Sequence, residues 1–430
     1  MIRLDEKLIQ KYHNLFLANK PTYIKMNDYY KGITDAITTY KMVTERSNLK
    51  VNCNFLKKFI KEEVSYSVGN DITYISKSSN DDIVNTIDIN FQSLSTQHDI
   101  ELMKTMLKFN IAYELYYIEN GEFKAKVISP LEGFLIKENN VVTGFGREYT
   151  IEGLTDEIYL DIYTSDSIYH YKVNKEEYSV ANATTPNVFG FVPIGVARLG
   201  EDGVYETLYA DIKGLQDAYE TNLSDLTNEI SDFRNAYLVL TGAQLDDGQA
   251  STMKQMGILQ SSDPNTKFQW LVKNLNDAFI QNTLSTLEDK MYQLSQHINH
   301  NEQMQSNLSG LALRSRLISL EEKCKLNQRA LTDCIKTRLK ALFIWLSKLQ
   351  GSNYDWRDIR IKFTPNIPQD DVTTADLISK LGDKLSVETA LAQLSFIENP
   401  VNEVSKIKKE QEEKLPGIDL NNVGDGNGSV

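Results

Sequence analysis

Apolar residues recur at helical spacing through the first part of the chain. The stretch LDEKLIQKYHNLFLANK places apolar side chains at steps of three and four, and CNFLKKFIKEEVSYSVG repeats this pattern up to Gly69. Such spacing puts the apolar side chains on one face of a helix, and a glycine after the last periodic residue is a stop signal. The alternating stretch DITYIS that follows predicts a short strand.

Short alternating runs replace the helical pattern from about residue 110 to residue 200. Two of them flank Asn120-Gly121, which predicts a tight hairpin because both residues tolerate positive φ. The 22 tyrosines of the chain are dense here, and tyrosine suits half-buried sheet faces. The stretch GFGREY is a Gly-x-Gly without a following helix, so it predicts a turn rather than a phosphate-binding loop.

Three long helical patterns follow, over residues 204–237, 277–298 and 311–349. In each, apolar residues recur at alternating steps of three and four, the spacing of a coiled-coil seam. Asn327 and Arg338 interrupt the third seam. Seams of this kind need partners.

The segments between these helices differ in character. Residues 238–276 are a compact mixed segment with turn signals, and the segment NHNEQMQSNLSG, residues 299–310, is amide-rich with one charged residue. After the third helix the stretch DIRIKFTPNIP predicts a short strand, and helical patterns resume with Ser386 as a helix start. The tail GIDLNNVGDGNGSV is predicted to be disordered because it is rich in Gly, Asn and Asp.

Length and charge narrow the function classes. The 430 residues suffice for two or three domains, and the net charge of −13 argues against a protein that grips nucleic acid along its whole surface. Three cysteines without a pairing pattern predict a reducing compartment and no disulfide framework. The charged N-terminus is not a signal peptide, and no apolar stretch is long enough to span a bilayer.

No catalytic motif stands out, and we expect neither a cofactor nor a metal. His297 and His300 are three residues apart, but the pair has no acidic or cysteine partner nearby, so polar residues at a helix end are the favoured interpretation. The carboxylate pairs Asp246-Asp247 and Asp370-Asp371 are interpreted as solvated turn residues. Cys324 and Cys334 lie on an apolar seam, where packing is the expected role.

One charge feature leaves an alternative open. Residues 311–350 contain nine basic and three acidic residues, a local charge of +6 in an acidic chain. A basic helix can touch nucleic acid, or it can pair with acidic faces of neighbouring subunits. A coiled-coil nucleic-acid-binding protein that uses this helix is therefore a second hypothesis. An enzyme with dispersed catalytic residues, which would need a concave pocket with perturbed carboxylates, is a third.

Five stretches, in order along nearly the whole chain, resemble the portal proteins of tailed bacteriophages, in particular the family typical of phages of Gram-positive bacteria. They are YYKGITDAI, NFLKKFIKEEVSYSVGNDITY, FNIAYELYYIENGEFKAKVISPLEGFLI, the long stretch from NVFGFVPIGVARLG to NAYLVLTG, and LSGLALRSRL. The chain departs from the family in lacking a long acidic C-terminal extension, so a small crown is expected.

The resemblance implies an α+β fold, mainly α, with a wing, a helical stem, a clip and a small helical crown, assembled as a ring. Carried over by motif, the parts are a wing at 1–203, a first stem helix at 204–237, a clip at 238–276, a second stem helix at 277–298, a tunnel loop at 299–310, a long helix and wing return strand at 311–368, crown helices at 369–415 and a disordered tail at 416–430.

The resemblance also implies a non-enzymatic function and a set of partners. The expected ring, a dodecamer, would occupy one capsid vertex of the virion after assembly in the host bacterial cytoplasm, with no membrane involved. Double-stranded DNA would be packaged through it by a terminase motor, retained and ejected. A head–tail adaptor, the major capsid protein and scaffolding proteins would be further partners. The residues expected to line the channel are Asn301, Gln303, Met304, Gln305, Ser306, Asn307 and Leu308.

Overall fold

The computed structural model describes residues 6–41, 48–151, 153–174, 177–233, 237–241, 248, 265–271, 277–299, 310–365, 371–391, 394 and 400–414. The chain divides into two units, Met1–Asn366 and Ile367–Val430. Helices predominate and antiparallel sheets accompany them, so the expectation of a mainly helical α+β fold is confirmed at this level.

Five helices build the first part of the larger unit. They are α1 (Glu6–Lys31), α2 (Asp35–Thr39), α3 (Phe55–Val68), α4 (Asp81–Phe91) and α5 (His98–Phe109). Asn54 caps α3 by accepting a hydrogen bond from the Lys57 amide at 3.0 Å, and α3 ends before Gly69, as the sequence predicts. Asn110 closes α5 in the left-handed region with φ 71° and turns the chain into the first sheet.

Two antiparallel sheets follow. The first has the order β3-β2-β9 and the second the order β4-β5-β6-β7-β8. The strands are β2 (Ile111–Glu119), β3 (Glu122–Ile128), β4 (Gly133–Glu138), β5 (Val141–Ile151), β6 (Leu154–Tyr163), β7 (Ser167–Asn174), β8 (Glu177–Pro186) and β9 (Ile194–Arg198). A separate two-stranded sheet pairs β1 (Thr73–Ser76) with β12 (Ile359–Lys362).

The turn predictions in the β region have opposite outcomes. The Asn120-Gly121 hairpin is confirmed, since both residues have positive φ and join β2 to β3. The prediction of a turn at GFGREY is wrong, because these residues lie inside β5. Gly146 is required there by packing: a Cβ at this position would come within 2.3 Å of the Phe134 ring.

Three long helices complete the larger unit: α6 (Leu208–Phe233), α7 (Asp277–Ser295) and α8 (Gly310–Gln350). The first is shorter than predicted, because a 3-10 turn occupies Gly203–Glu206 and β10 (Tyr237–Thr241) pairs with β11 (Lys267–Leu271). The second ends before residue 298, because Gln296 adopts φ 61° and breaks the helix.

The main core lies between α3, α5, α8 and the first sheet. Its buried members include Phe59, Leu102, Met106, Tyr116, Ile335 and Leu342. Cys324 and Cys334 are both buried, which confirms their predicted packing role. A second core packs α1 against the five-stranded sheet, and a third lies between the two larger sheets.

The smaller unit contains α9 (Asp371–Leu381), α10 (Val387–Leu391) and α11 (Pro400–Lys414). Ser386 accepts a hydrogen bond from the Thr389 amide at 3.2 Å, which confirms it as the start of α10. Over the part of the chain that is described, none of the helices has the length and apolar character to cross a membrane.

Candidate functional site

The residues predicted to line the channel lie outside the described part of the chain. They are Asn301, Gln303, Met304, Gln305, Ser306, Asn307 and Leu308. Both flanks of their segment are described, because α7 leads into it up to Asn299 and α8 leaves it from Gly310. The candidate site is therefore built from the side chains that hold these flanks. We call them the loop anchor: Phe59, Glu63, His297, Lys323 and Asn327.

His297 fastens the end of α7 to α3. Its ring stacks on Phe59 with the centroids 4.4 Å apart. Nδ1 lies 2.8 Å from the Ser295 carbonyl oxygen, and Nε2 lies 3.1 Å from the Phe59 carbonyl oxygen. A neutral imidazole has one N–H, so it donates to one of these oxygens at a time.

The environment of His297 decides its charge. Burial, followed by the positive charge of Lys323, lowers the pKa of His297 to about 3, so the ring is neutral at neutral pH. His297 lies just beyond the end of α7, as expected of a polar residue at a helix end, and it is buried and packed on an aromatic ring. His300 lies outside the described residues.

Glu63 ties α3 to α8 beside the same histidine. Lys323 Nζ lies 3.0 Å from Glu63 Oε1, and Asn327 Nδ2 donates to Glu63 Oε2 at 2.6 Å. Lys323 also donates to the Ser295 carbonyl oxygen at 3.0 Å. Burial raises the pKa of Glu63, while Lys323 and Asn327 oppose that rise. One lysine thus links α8 to α3 and to the last turn of α7.

A second buried cluster holds the middle of α8. Arg338 Nε lies 2.7 Å from Glu114 of β2, and its Nη2 lies 2.6 Å from Asp99 of α5. His98 Nε2 lies 2.6 Å from the same Glu114 oxygen as Arg338 Nε. Burial alone would raise the pKa of Glu114, but Arg338 and His98 outweigh it and lower the value to about 2. The long helix is therefore fixed at two points, one near the candidate loop and one farther along.

The first predicted stem helix, α6, buries a polar face. Gln216, Glu220, Ser224 and Asn228 recur every four residues, and all four are fully buried. They accept hydrogen bonds from the extended segment before α3 and from the first turn of α3: Leu49 N–H to Asn228 at 2.7 Å, Val51 N–H to Ser224 at 2.9 Å, Cys53 N–H to Glu220 at 3.0 Å and, within α3, Leu56 N–H to Gln216 at 3.2 Å. We call this arrangement the polar ladder.

The polar ladder works because two periods match. Every second residue of an extended chain advances by about 6.6 Å, and every fourth residue of a helix advances by about 6 Å. The chain from Leu49 to Cys53 therefore meets one acceptor of α6 at each alternate amide. Side chains of the helix replace the neighbouring strand that a sheet would provide.

Sequence reasoning missed Glu63 and the polar ladder, although a signal existed for part of the site. Asn327 and Arg338 stood out as polar interruptions of an apolar seam, and both prove to be buried and paired. A polar residue on a buried seam needs a partner, which makes such an interruption a useful marker. Glu63 had no comparable signal, because it follows another glutamate in a charged stretch.

The remaining candidate residues form no site. Among the described residues, no group of three or more His, Cys, Asp or Glu side chains could hold a metal ion. Asp246, Asp247 and Asp370 lie outside those residues, while Asp371 begins α9. The interpretation of Asp246, Asp247 and Asp370 as solvated turn residues stays a prediction, whereas Asp371 is the first residue of a helix and not a turn residue.

Comparison with known proteins gives a consistent match over most of the chain. A family model described as "Phage portal protein, SPP1 Gp6-like" matches residues 9–417. The portal protein of Bacillus phage SPP1 is 21% identical over 428 residues, which covers 90% of this chain and 80% of that protein.

Two solved structures have weaker similarity. The neck of an empty gene transfer agent particle, computed with C6 symmetry, has 10% identity and a TM-score of 0.47, covering 79% of this chain and 88% of that chain. The virion of a native gene transfer agent particle has 9% identity and a TM-score of 0.45, covering 87% of this chain and 93% of that chain. Both TM-scores are too low to support an argument.

Proposed function

Because the chain belongs to the SPP1 Gp6-like family of phage portal proteins, we propose that it forms the ring-shaped channel through which DNA enters and leaves a capsid. Portal proteins are structural components of the virion that connect head and tail, and the family implies an oligomeric ring at a capsid vertex. Twelve copies around the channel are the expected arrangement. The ring acts as a passage and a joint, without catalysis of its own.

The observation that carries the channel-loop assignment is the loop anchor. Lys323 joins α8 to the carbonyl oxygen of Ser295 and to Glu63, and His297 packs on Phe59. These contacts fix the helix end before residues 299–310 and the helix after them. A segment with fixed flanks and amide side chains is suited to weak polar contacts with DNA, which do not bind it tightly.

Charge supports sliding rather than holding. The net charge of −13 disfavours tight association with the phosphate backbone. Each tight phosphate contact would add salt-dependent affinity and resist translocation. Amide and hydroxyl groups of Gln303, Gln305, Ser306 and Asn307 would instead make weak polar contacts, with Met304 and Leu308 as soft apolar ones.

The remaining parts of the ring are assigned on the same basis. α6 and α7 pack against each other and would form the stem, and residues 238–276 would form the clip that meets the terminase motor first and the head–tail adaptor later. The helices and sheets of 1–203, together with α8 and β12, would form the wing that meets capsid and scaffolding proteins. The helices after residue 368 would form the crown.

The alternative function, nucleic-acid binding through the basic helix, is not favoured. Lys323 and Arg338 pair with buried carboxylates. Lys325 lies 2.9 Å from Glu321, and Lys336 lies 3.0 Å from Asp333. The pairs within the helix are already counted in its local charge of +6, and Glu63, Asp99 and Glu114 from other elements offset a further part of that charge.

Removal of the candidate channel loop tests the proposal. We expect deletion of residues 302–308 to leave rings intact and to impair DNA packaging, because the flanks are held independently of the loop. A second variant replaces residues 302–308 by a Gly/Ser segment of the same length. It removes the side chains but keeps the length of the loop, so it distinguishes the two effects. Normal packaging and normal DNA retention in both variants would contradict the assignment of this loop.

A further inference from the structure

A cleft of about 310 Å³ lies between α1, α3 and α5. Its walls include Tyr30 of α1, Lys61 and Ser65 of α3, and Glu101 and Lys104 of α5. It lies on the surface of the larger unit and shares no residue with the loop anchor.

Two lysines line this cleft and two more lie near the Tyr30 ring at its wall. We call the site formed by Lys57, Lys61, Lys104 and Lys108 the lysine cleft. Lys57 Nζ lies 5.9 Å and Lys108 Nζ 4.6 Å from the centroid of the Tyr30 ring, while Lys61 and Lys104 line the cleft itself. Each helix carries two of these lysines four residues apart, which is about 6 Å along its axis. Two facing helices thus present two rows of ammonium groups.

Most of this positive charge is uncompensated. Lys104 forms an ion pair with Glu101, but Lys57, Lys61 and Lys108 form none with the carboxylates that the structure describes. The Lys108 ammonium donates a hydrogen bond to a neutral acceptor, Asn27 Oδ1, at 2.7 Å. Lys58 lies between Lys57 and Lys61 in the sequence and pairs with Glu62 at 2.6 Å. This carboxylate of α3 therefore pairs with Lys58 and not with a lysine of the cleft.

Burial and the neighbouring positive charges both disfavour the charged form of Lys108. Burial is the largest cause that lowers the pKa of Lys108 to about 8, and the positive charges of Lys104 and Lys31 lower it further. An anion in the cleft would relieve that repulsion and favour the charged lysine. The cleft is therefore a local excess of positive charge in a chain whose net charge is −13.

We propose that the lysine cleft binds phosphate groups of the DNA backbone. Lysine ammonium groups bind phosphate as compact point charges, and Lys61 and Lys104 supply such charges at the walls of the cleft. The Ser65 hydroxyl and the Gln97 amide stand at the same walls and supply neutral donors. Two rows of lysines are long enough to neutralise more than one phosphate.

This inference goes beyond the proposed channel. It assigns a stationary nucleic-acid contact on elements that do not belong to the predicted tunnel loop, so either can fail without the other. Loss of packaging in the loop deletion leaves the lysine cleft untouched, and loss of DNA affinity in a lysine variant leaves the loop untouched.

The test measures binding of the full chain to a duplex of about 30 base pairs by fluorescence anisotropy over a range of salt concentrations. The site variant is Lys57→Gln with Lys61→Gln, and its matched control is Lys325→Gln with Lys336→Gln, which removes equal charge from exposed lysines of α8. We expect the site variant to weaken binding about tenfold and to reduce the slope of log K against log salt by about 2, because two phosphate contacts are lost. The control should stay within about twofold, since its lysines neutralise nearby carboxylates.

Further arms separate the sources of the anion. Lys57→Arg with Lys61→Arg should restore affinity, and unchanged thermal melting of each variant shows that folding is retained. Inorganic phosphate is titrated separately. If phosphate binding depends on these lysines but the duplex does not bind, the site takes the free anion and the proposal of a DNA contact is wrong. The proposal would be overturned if the site variant kept its DNA affinity, or if the site variant and the control lost equal affinity. It would also be overturned if polyglutamate competed with the duplex as well as DNA does.

Discussion

The two helices α6 and α8 have similar apolar seams in the sequence but bury different faces. In α8 the middle of the seam is buried, as Leu331, Ile335 and Leu342 show, and its polar interruptions are paired with buried charges. In α6 the fully buried face beyond Ile212 is polar, while Ile230 of its apolar seam is about half exposed. The same periodicity therefore accompanies two different kinds of packing.

The difference lies in what each helix packs against. α8 meets apolar side chains of α3, α5 and the first sheet, so its apolar face is removed from water. α6 meets the backbone of an extended segment, and backbone amides need acceptors rather than methyl groups. Part of the apolar seam of α6 packs against the main core, and α6 also packs against α7.

The largest expected effect is on the charged cluster of α8. Arg338→Met should lower the free energy of unfolding by about 3–5 kcal/mol, because it leaves the buried Glu114 carboxylate without its partner. Denaturant unfolding measures this change, with Lys336→Met as a control at an exposed ion pair, where less than about 1 kcal/mol is expected. A cost for Arg338→Met no greater than that of the control would show that the cluster does not hold the helix.

The cluster around Glu114 should also make the free energy of unfolding depend on pH. Arg338 and His98 hold the pKa of Glu114 at about 2, below the ordinary value of 4.5, so this carboxylate stabilises the fold above pH 4.5 and loses that contribution as pH falls toward 2. Up to about 3 kcal/mol should disappear over this range. Unfolding measured at several pH values in the parent and in Glu114→Gln checks it, and an equally steep acid dependence in both would refute the assignment.

An intermediate effect is expected at the loop anchor. Lys323→Met removes the counter-charge of Glu63 and the hydrogen bond to Ser295, so the free energy of unfolding should fall by about 2 kcal/mol. Hydrogen exchange of the amides from residue 292 to residue 299 should rise with it, because this lysine holds the end of α7. Lys325→Met on the exposed side of α8 is the matched control. Identical hydrogen exchange in the two variants would show that Lys323 does not hold the end of α7.

The smallest effect is expected at the polar ladder. Ser224→Ala leaves the Val51 amide without its acceptor at a cost of about 1 kcal/mol. Thr227→Ala is a fitting control on the same helix, because the Thr227 hydroxyl donates to a carbonyl of its own helix. Exchange protection of the Val51 amide should be lost in the first variant and kept in the second; protection in both would mean that the ladder does not hold this segment.

Local features of the fold follow from the sequence because they depend on a few neighbouring residues. The hairpin at Asn120-Gly121, the helix end at Gly69 and the helix start at Ser386 each arise from local backbone preferences or capping. The strand at GFGREY was missed because two glycines indicated a turn, while Gly146 is needed to admit the Phe134 ring from a neighbouring strand.

Contacts between distant parts of the chain could not be predicted in the same way. The pairing of Val51 with Ser224 joins residues 173 positions apart, and Glu63 meets Asn327 across 264 positions. A polar interruption such as Asn327 indicates that a partner is needed but does not say where it lies. The predicted channel residues depend on the family resemblance alone, and their place in the ring stays a prediction.

Imaging of purified particles tests the central claim most directly. Negative-stain electron microscopy of the full chain, combined with native mass measurement, should reveal a homogeneous ring of about twelve copies with an axial hole, since closed cyclic symmetry joins one surface of each copy to another surface of the next. A chain that remains monomeric at high concentration and also forms no ring when it is produced together with capsid and scaffolding proteins would contradict the account.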